Sequence, residues 1–216
     1  MKKIALSQRV AEESRYSERR DALDQRWPVL LERLGLVAVP VPNGLLDPVA
    51  WARSLGIEGL LLTGGNDLGM ALASRGTASE RDRTEALLLD EAEDARWPVL
   101  GVCRGMQMMN VHLGGAVAPV QGHVAVRHTL LRSAHTAQIL GHVAPAVLEV
   151  NSYHGFAIAR EGLGAACRPL YHDQDGHVEA MAHASLPWLG VMWHPEREPS
   201  PTPFDHMLLS RLFATP

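Results

Sequence analysis

Residues 99–107, VLGVCRGMQ, join an apolar run to a helix-like stretch through a cysteine that has a glycine two positions away on each side. This G-x-C-x-G pattern predicts a nucleophile elbow, a sharp strand-to-helix turn that lifts one side chain above the end of a sheet. Gly101 and Gly105 suit such a turn because a Cβ atom at either position would crowd the bent backbone. Cys103 would then lie at a helix N-terminus, where the helix dipole favours the thiolate. The segment therefore predicts an α/β fold that carries a cysteine nucleophile.

The N-terminal half alternates short apolar runs with amphipathic stretches, separated by glycine and proline. Strands are predicted at 4–6, 37–40, 60–62 and 99–102, and helices at 21–34, 48–55 and 79–95. Such alternation is typical of a doubly wound, mostly parallel sheet, whose active site lies beyond the carboxyl ends of the strands.

From about Gly114 onward, short β-branched runs replace this alternation. They predict additional antiparallel strands at 134–140, 146–150, 177–182 and 189–193, followed by a closing helix at 204–213. The 216 residues contain no evident linker, repeat or low-complexity tract. We therefore expect one domain spanning residues 1–216.

The composition excludes several classes of function. A net charge of −4 without a basic stripe argues against a nucleic-acid-binding surface. No apolar run approaches membrane-spanning length, and the N-terminus turns polar at Ser7, too early for a signal peptide. Cys103 and Cys167 could form a disulfide, but a reduced pair fits better. We expect a cytoplasmic protein that binds neither nucleic acid nor membrane, and the sequence leaves open whether it forms a homodimer.

A histidine and a carboxylate follow the last predicted strand. Pro195 stops that strand and so fixes His194 at its carboxyl end, at the same edge of the sheet as the elbow. If the backbone stays extended, Glu196 projects to the same side as His194 and could hold the tautomer that presents a free nitrogen to Cys103. The alternative is a surface His-Pro-Glu turn, and these residues alone do not decide between the two.

An oxyanion hole needs two hydrogen-bond donors. The elbow supplies the backbone N–H of Arg104, and Gly64-Gly65, after the 60–62 strand, offers a flexible backbone for the second donor. The sequence GGND at 64–67 is also a good turn in its own right. This loop is therefore informative only in combination with the elbow and the terminal histidine.

Three segments resemble the signatures of class I glutamine amidotransferase domains: TGG at 63–65, GVCRGMQ at 101–107 and HPE at 194–196. Within that group, Met109-Asn110, Gly114-Gly115 and VNSYH at 150–154 resemble the γ-glutamyl hydrolase branch, peptidase family C26. The resemblance implies a flavodoxin-like fold and hydrolysis of a γ-glutamyl amide, with no cofactor. Residues 7–9, 24–27 and 40–43 are similar to a subgroup linked to surface-polysaccharide pathways.

The resemblance also implies a role for each matching residue. Cys103 would attack the γ-carbonyl, His194 would transfer the proton and Glu196 would orient the histidine. The N–H groups of Gly65 and Arg104 would hold the oxyanion. The γ-glutamyl group would be bound by a further set: Gln107, Ser152, Tyr153 and His154. The pattern departs at 154–156, HGF, where polyamine-pathway relatives have a second histidine, which argues against γ-aminobutyrate as the leaving group.

Other polar residues have weaker interpretations. Cys167 lies in a strand-like run and is expected to be an inert buried thiol. The arginines after the first strand, Arg9 among them, form either a solvated face or a cluster that binds a phosphorylated leaving group. No metal site is predicted, because four histidines lack compact metal-ligand spacing: His123, His128, His135 and His142.

Three functions are compatible with these patterns. The leading hypothesis is a stand-alone hydrolase that acts on a small γ-glutamyl compound. The second is the glutaminase subunit of a two-protein amidotransferase, which would deliver ammonia to a partner synthase. The third, a non-catalytic scaffold, is disfavoured because Cys103, His194 and Glu196 are all present.

Overall fold

A computed structural model gives the fold of residues 1–69, 78–141 and 143–214. The strands are β1 (Lys3–Leu6), β2 (Arg9–Glu13), β3 (Glu18–Ala22), β4 (Val37–Pro40), β5 (Gly59–Leu62), β6 (Val99–Val102), β7 (Ala118–Pro119), β8 (Val124–Arg132), β9 (Val147–Tyr153), β10 (Phe156–Ala157), β11 (Cys167–His172), β12 (Val178–His183) and β13 (Trp188–Val191). The α-helices are α1 (Arg26–Arg33), α2 (Pro48–Ser54), α3 (Ser79–Asp94), α4 (Arg104–His112), α5 (Thr136–Leu140) and α6 (Pro203–Phe213).

Within these residues the main sheet has nine strands in the order β4-β1-β5-β6-β13-β12-β11-β8-β9. Strands β4, β1, β5, β6 and β13 pair in parallel, whereas β13, β12, β11, β8 and β9 pair antiparallel. This arrangement confirms the predicted parallel sheet with additional antiparallel strands in the C-terminal half. The carboxyl ends of β5, β6 and β13 meet at one edge, which is where the site lies.

Helices cover both faces of the parallel strands. Along β5, Leu61 belongs to one hydrophobic core and Leu60 to the other, because successive side chains of a strand point to opposite faces. Trp27 of α1 packs in the first core, and Leu88 of α3 packs in the second. Burial of each such side chain stabilises the fold by about 1.5–3 kcal/mol, so the neighbouring strand ends are held rigidly in place.

Two predicted elements are wrong. Residues 134–140 contain helix α5 rather than a strand, and the Thr136 hydroxyl donates a hydrogen bond to the Leu170 carbonyl. The predicted helix at 21–34 begins only at Arg26, because Glu18–Ala22 pairs with β2 as an antiparallel hairpin. The other strands and helices that the sequence predicts are present, and their ends match the prediction or are shifted by up to three residues.

No helix among the described residues is both long enough and apolar enough to cross a membrane.

Candidate active site

Cys103 lies at the turn between β6 and α4 with a backbone φ of 54° and ψ of −111°. A non-glycine residue in such a conformation costs about 1–3 kcal/mol and persists only where its surroundings enforce it. The Cys103 N–H donates to the Val191 carbonyl of β13 at 2.8 Å. A Cβ on Gly101 would lie 2.7 Å from the Gly105 carbonyl carbon, and one on Gly105 would overlap the Leu62 carbonyl. Both glycines are therefore required by the elbow.

His194 follows β13 and is fixed through both its backbone and its ring. Its N–H donates to Asn151 Oδ1, and its carbonyl accepts from Asn151 Nδ2, each at 2.9 Å. Its ring Nδ1 lies 2.7 Å from Glu196 Oε1. Asn151 belongs to β9, the far edge of the main sheet, which curls back to reach the end of β13. No sequence pattern predicts these two hydrogen bonds between Asn151 and the backbone of His194.

The imidazole of His194 is placed between the elbow and a carboxylate. Because a carboxylate oxygen can only accept a hydrogen bond, Glu196 holds the imidazole proton on Nδ1. Nε2 is then the nitrogen available to the thiol of Cys103. Nε2 forms no hydrogen bond with any described residue. A Cβ on Gly64 would lie 2.8 Å from His194 Cε1 and 3.7 Å from Cys103 Cβ, so both side chains border Gly64. Burial acts to lower the pKa of His194, but its interactions with Cys103 and Glu196 outweigh burial and raise that pKa to about 9.

Arg81 holds the loop after β5 through two of its backbone carbonyls. Arg81 donates to the Thr63 carbonyl at 2.6 Å and to the Gly64 carbonyl at 3.1 Å. The carbonyl of Gly64 and the N–H of Gly65 belong to one trans peptide unit and point in opposite directions. The Gly65 N–H therefore points away from Arg81. The N–H of Arg104, in the first turn of α4, has no intrahelical acceptor.

A buried ion network lies beneath the elbow and this loop. Arg81 pairs with Glu85 at 2.8 Å, and Arg104 pairs with both Glu85 and Asp82. Burial and the nearby Arg104 lower the pKa of Arg81 to about 10, against the opposing effect of Glu85 and Asp82, so Arg81 stays charged at neutral pH. Burial acts to raise the pKa of Glu85, but the two arginines outweigh it and lower that pKa.

This network has two cations and two anions, and it ties the first turn of α4 to the loop after β5. The sequence contains a signal for this network. Residues 81, 82 and 85 are charged and lie within about one turn of a helix that also buries apolar side chains.

Three of the sequence-predicted binding residues border the site. Gln107, one turn after Cys103, donates from Nε2 to the Phe156 carbonyl at 3.1 Å. The exposed ring of Tyr153 lies 5.7 Å from the ring of His194. Arg9 is exposed, and a Cβ on Gly65 would lie 2.9 Å from the Arg9 Cβ, so the β2–β3 hairpin starts beside the loop.

The other two binding residues point elsewhere. Side chains alternate along β9, so Ser152 and His154 face opposite to Asn151 and Tyr153. The Ser152 hydroxyl donates to the His123 carbonyl at 2.7 Å, and His154 Nε2 lies 3.3 Å from Glu179 Oε1. The geometry does not support these two side chains as ligands of the γ-glutamyl group, because the alternation that exposes Tyr153 buries both.

The remaining histidines and the second cysteine are placed as follows. His123 and His128, for which no metal site was predicted, lie together with His154 and Glu179. His135 precedes α5, apart from this group, and His142 lies outside the described residues. Cys103 and Cys167 are both free, so they form no disulfide. Burial raises the pKa of the Cys167 thiol to about 11, as expected for an inert thiol.

Several known proteins are similar to this chain in sequence. The family model for Peptidase C26 matches residues 4–196. The gamma-glutamyl-CDP-amidate hydrolase of Campylobacter jejuni is 29% identical over 196 residues, covering 90% of each chain. A glutamine amidotransferase-like protein of Lactococcus lactis is 32% identical over 158 residues, covering 65% of this chain and 66% of its own.

A solved structure has the same fold. A glutamine amidotransferase from Thermotoga maritima superposes with a TM-score of 0.64 at 14% identity, covering 90% of this chain and 76% of its own. At this identity the likeness concerns the fold alone, and it confirms the predicted flavodoxin-like architecture.

Proposed function

Because this chain belongs to the peptidase C26 family, we propose that it hydrolyses a γ-glutamyl amide with Cys103 as nucleophile, His194 as proton carrier and Glu196 as the residue that orients the histidine. The observation that carries the proposal is the 2.7 Å contact between Glu196 and His194 next to a cysteine in a strained elbow conformation. Nucleophile, base and orienting carboxylate are the parts that covalent amide hydrolysis requires.

In the first half-reaction, the Cys103 thiolate attacks the γ-carbonyl carbon. The carbonyl oxygen becomes an oxyanion that accepts hydrogen bonds from the N–H groups of Gly65 and Arg104. As the C–N bond breaks, protonated His194 gives its Nε2 proton to the leaving nitrogen. The products are a free amine or amidate and a γ-glutamyl thioester on Cys103.

In the second half-reaction, water replaces the amine. Neutral His194 takes a proton from the water as its oxygen attacks the thioester carbon. The same two N–H groups hold the second oxyanion, and the C–S bond then breaks. Glutamate leaves, and Cys103 returns to the thiolate paired with protonated His194.

For the leaving group, we favour a nucleotide amidate such as the cytidine diphosphoramidate of γ-glutamyl-CDP-amidate, in capsule or surface-polysaccharide synthesis. Similarity to the Campylobacter jejuni hydrolase over 90% of both chains supports this choice. Cationic side chains border the site. Arg9 flanks the loop after β5, and the Arg197 guanidinium lies 4.3 Å from the centre of the Tyr153 ring. Arginine binds phosphate oxygens with charge-assisted hydrogen bonds.

The second candidate is a glutaminase that passes ammonia to a partner synthase, which similarity to a glutamine amidotransferase-like protein supports. The two functions differ in substrate preference. A stand-alone hydrolase should cleave bulky γ-glutamyl amides without any partner, whereas a glutaminase subunit should prefer glutamine and stay slow alone.

The test is release of glutamate by the purified chain from three substrates: γ-glutamyl-CDP-amidate, γ-glutamyl-p-nitroanilide and glutamine. We expect turnover of the first two, and its abolition in Cys103→Ala. The matched control is Cys167→Ala, which removes the other thiol and should keep most of the activity. Full activity in Cys103→Ala would overturn the mechanism. Activity on glutamine alone would favour the glutaminase.

A further inference from the structure

A cluster of three histidines and one glutamate, of which only His128 is partly exposed, lies where β8, β9 and β12 come together. His123 precedes β8, His128 lies within it, His154 follows β9 and Glu179 belongs to β12. One nitrogen or carboxylate oxygen of each lies within 4.8 Å of those of the others. The side chains of His154 and Glu179 are each only 1% exposed.

The hydrogen bonds around the cluster leave lone pairs that face one another. His154 Nδ1 lies 3.0 Å from the Phe156 carbonyl, which can only accept, so Nδ1 carries the proton and Nε2 of the neutral ring carries a lone pair. In His123, Nε2 lies 3.5 Å from Asp173 Oδ2, which leaves Nδ1 directed into the cluster. His154 Nε2, His123 Nδ1 and both Glu179 oxygens have no hydrogen-bond partner among the described residues.

Buried acceptors that face one another without a donor repel each other unless a cation or a proton lies between them. The spacing fits a metal. Tetrahedral zinc with bonds of about 2.0–2.1 Å places its ligand atoms about 3.3–3.5 Å apart. Glu179 Oε1 lies 3.3 Å from His154 Nε2 and 3.8 Å from His123 Nδ1, and Glu179 Oε2 lies 3.4 Å from His128 Nε2.

We propose that His123, His128, His154 and Glu179 bind a divalent transition-metal ion, for which zinc is the best fit. Imidazole nitrogens and a carboxylate oxygen are ordinary zinc ligands, and a set of four, three of them buried, fits a closed structural site. The Phe156 carbonyl holds the outward-facing nitrogen of His154, and Asp173 lies 3.5 Å from that of His123, the positions that the outer partners of zinc-bound histidines occupy.

The metal would join strands that the sheet itself connects weakly. Among the described residues, β8 pairs with β11 only at Arg132 and Leu131, so most of that edge of β8 has no ladder to β11. The bound ion would tie β8 to β12 across this gap. It would also fix the Phe156 carbonyl, which accepts hydrogen bonds from both His154 and Gln107.

The test is the zinc content of the full chain after treatment with a chelator, reloading with ZnSO₄ and removal of free ion. We expect one zinc ion per chain in the wild type and its loss in His128→Gln and in Glu179→Gln. Asp173→Asn, which removes only an outer partner, should weaken zinc affinity about 10–100-fold. The matched controls His206→Gln, on the exposed surface of α6, and Cys103→Ala should both keep the ion.

Cobalt provides a second measurement that does not depend on any variant folding. Wild-type protein loaded with Co²⁺ should show the intense d–d absorption of a tetrahedral ion without a thiolate-to-cobalt charge-transfer band. Three results would overturn the proposal: wild-type chain that retains neither zinc nor cobalt, loss of the ion in Cys103→Ala, or a thiolate charge-transfer band. The first would mean that protons alone hold the cluster together, and the other two would place the metal at the nucleophile.

Discussion

Replacing Glu196 with glutamine is expected to lower kcat/KM for a γ-glutamyl substrate about tenfold. The Glu196 carboxylate accepts from His194 Nδ1 at 2.7 Å, and both side chains are 2% exposed. Glutamine can still accept that hydrogen bond but carries no charge. A hydrogen bond to a charged group contributes about 1.5–3 kcal/mol and a neutral one about 0.5–1.5 kcal/mol. The difference, about 1–1.5 kcal/mol, corresponds to about a tenfold change in rate.

The assay is the initial rate of γ-glutamyl-p-nitroanilide hydrolysis by wild type, Glu196→Gln and His194→Ala. His194→Ala removes the proton carrier itself and should lose about 10²–10⁴-fold. Glu196→Gln should therefore be the milder of the two changes. A Glu196→Gln enzyme more impaired than His194→Ala would refute the assignment of Glu196 as an orienting residue.

Glu196→Gln should also change how the stability of the fold depends on pH. The pKa of His194 is raised from an ordinary 6.5 to about 9. Protonation of His194 therefore stabilises the fold. That contribution is fully present below pH 6.5 and is lost as the pH rises through 9. Because Glu196→Gln removes one cause of the shift, its unfolding free energy in urea should fall less than that of the wild type over this range. Identical pH profiles would mean that the carboxylate does not act on the histidine.

Three further substitutions test other parts of the site. Gly105→Ala places a Cβ against the Leu62 carbonyl of β5 and should lower the unfolding free energy by at least about 1–3 kcal/mol. The control Gly44→Ala has no neighbour within reach of the added Cβ and should change it little. Equal stabilities would contradict the packing argument. Glu85→Gln removes one anion from the buried ion network and should lower the unfolding free energy by about 3–5 kcal/mol. The control Glu80→Gln, in a partly exposed pair, should lower it by about 0–1 kcal/mol. Urea unfolding measures both. Arg9→Ala should lower kcat/KM for γ-glutamyl-CDP-amidate about 10–100-fold and leave γ-glutamyl-p-nitroanilide nearly unchanged; equal losses would make the arginine structural.

The parallel half of the fold could be predicted because its signals are local. Strands β5 and β6 are four-residue runs buried on both faces, bounded by turn residues. The β2–β3 hairpin could not be predicted in this way. Most of its residues are charged, and only Val10 among them is buried. Hydrogen bonds of the Val10 backbone with Asn66 and of Asn43 with Asp21 anchor it instead, and a sequence pattern does not show which polar groups meet.

In the candidate site too, the parts that lie in local motifs could be predicted, and the parts that depend on long-range contacts could not. The elbow, the glycine pair and the terminal histidine each lie in a short motif, so their convergence at one sheet edge follows from the parallel topology. The hydrogen bonds between Asn151 and His194 depend on how the antiparallel strands curve. The cluster of His123, His128, His154 and Glu179 depends on the same curvature. Apart from His123 and His128, their members are separated by tens of residues, and no periodicity links them. For the same reason, the VNSYH segment at 150–154 does not show which face of β9 carries Ser152 and His154.

The hydrogen bonds between Asn151 and His194 make the outermost strand of the sheet responsible for the position of a residue at its centre. An edge strand opens locally at a smaller free-energy cost than the whole domain. Opening of β9 would release the backbone of His194 while the parallel strands, the elbow and the buried arginines stayed in place. Inactivation by mild heat or denaturant would then precede the loss of helical circular dichroism. Enzyme activity would be the more sensitive reporter of damage at this edge.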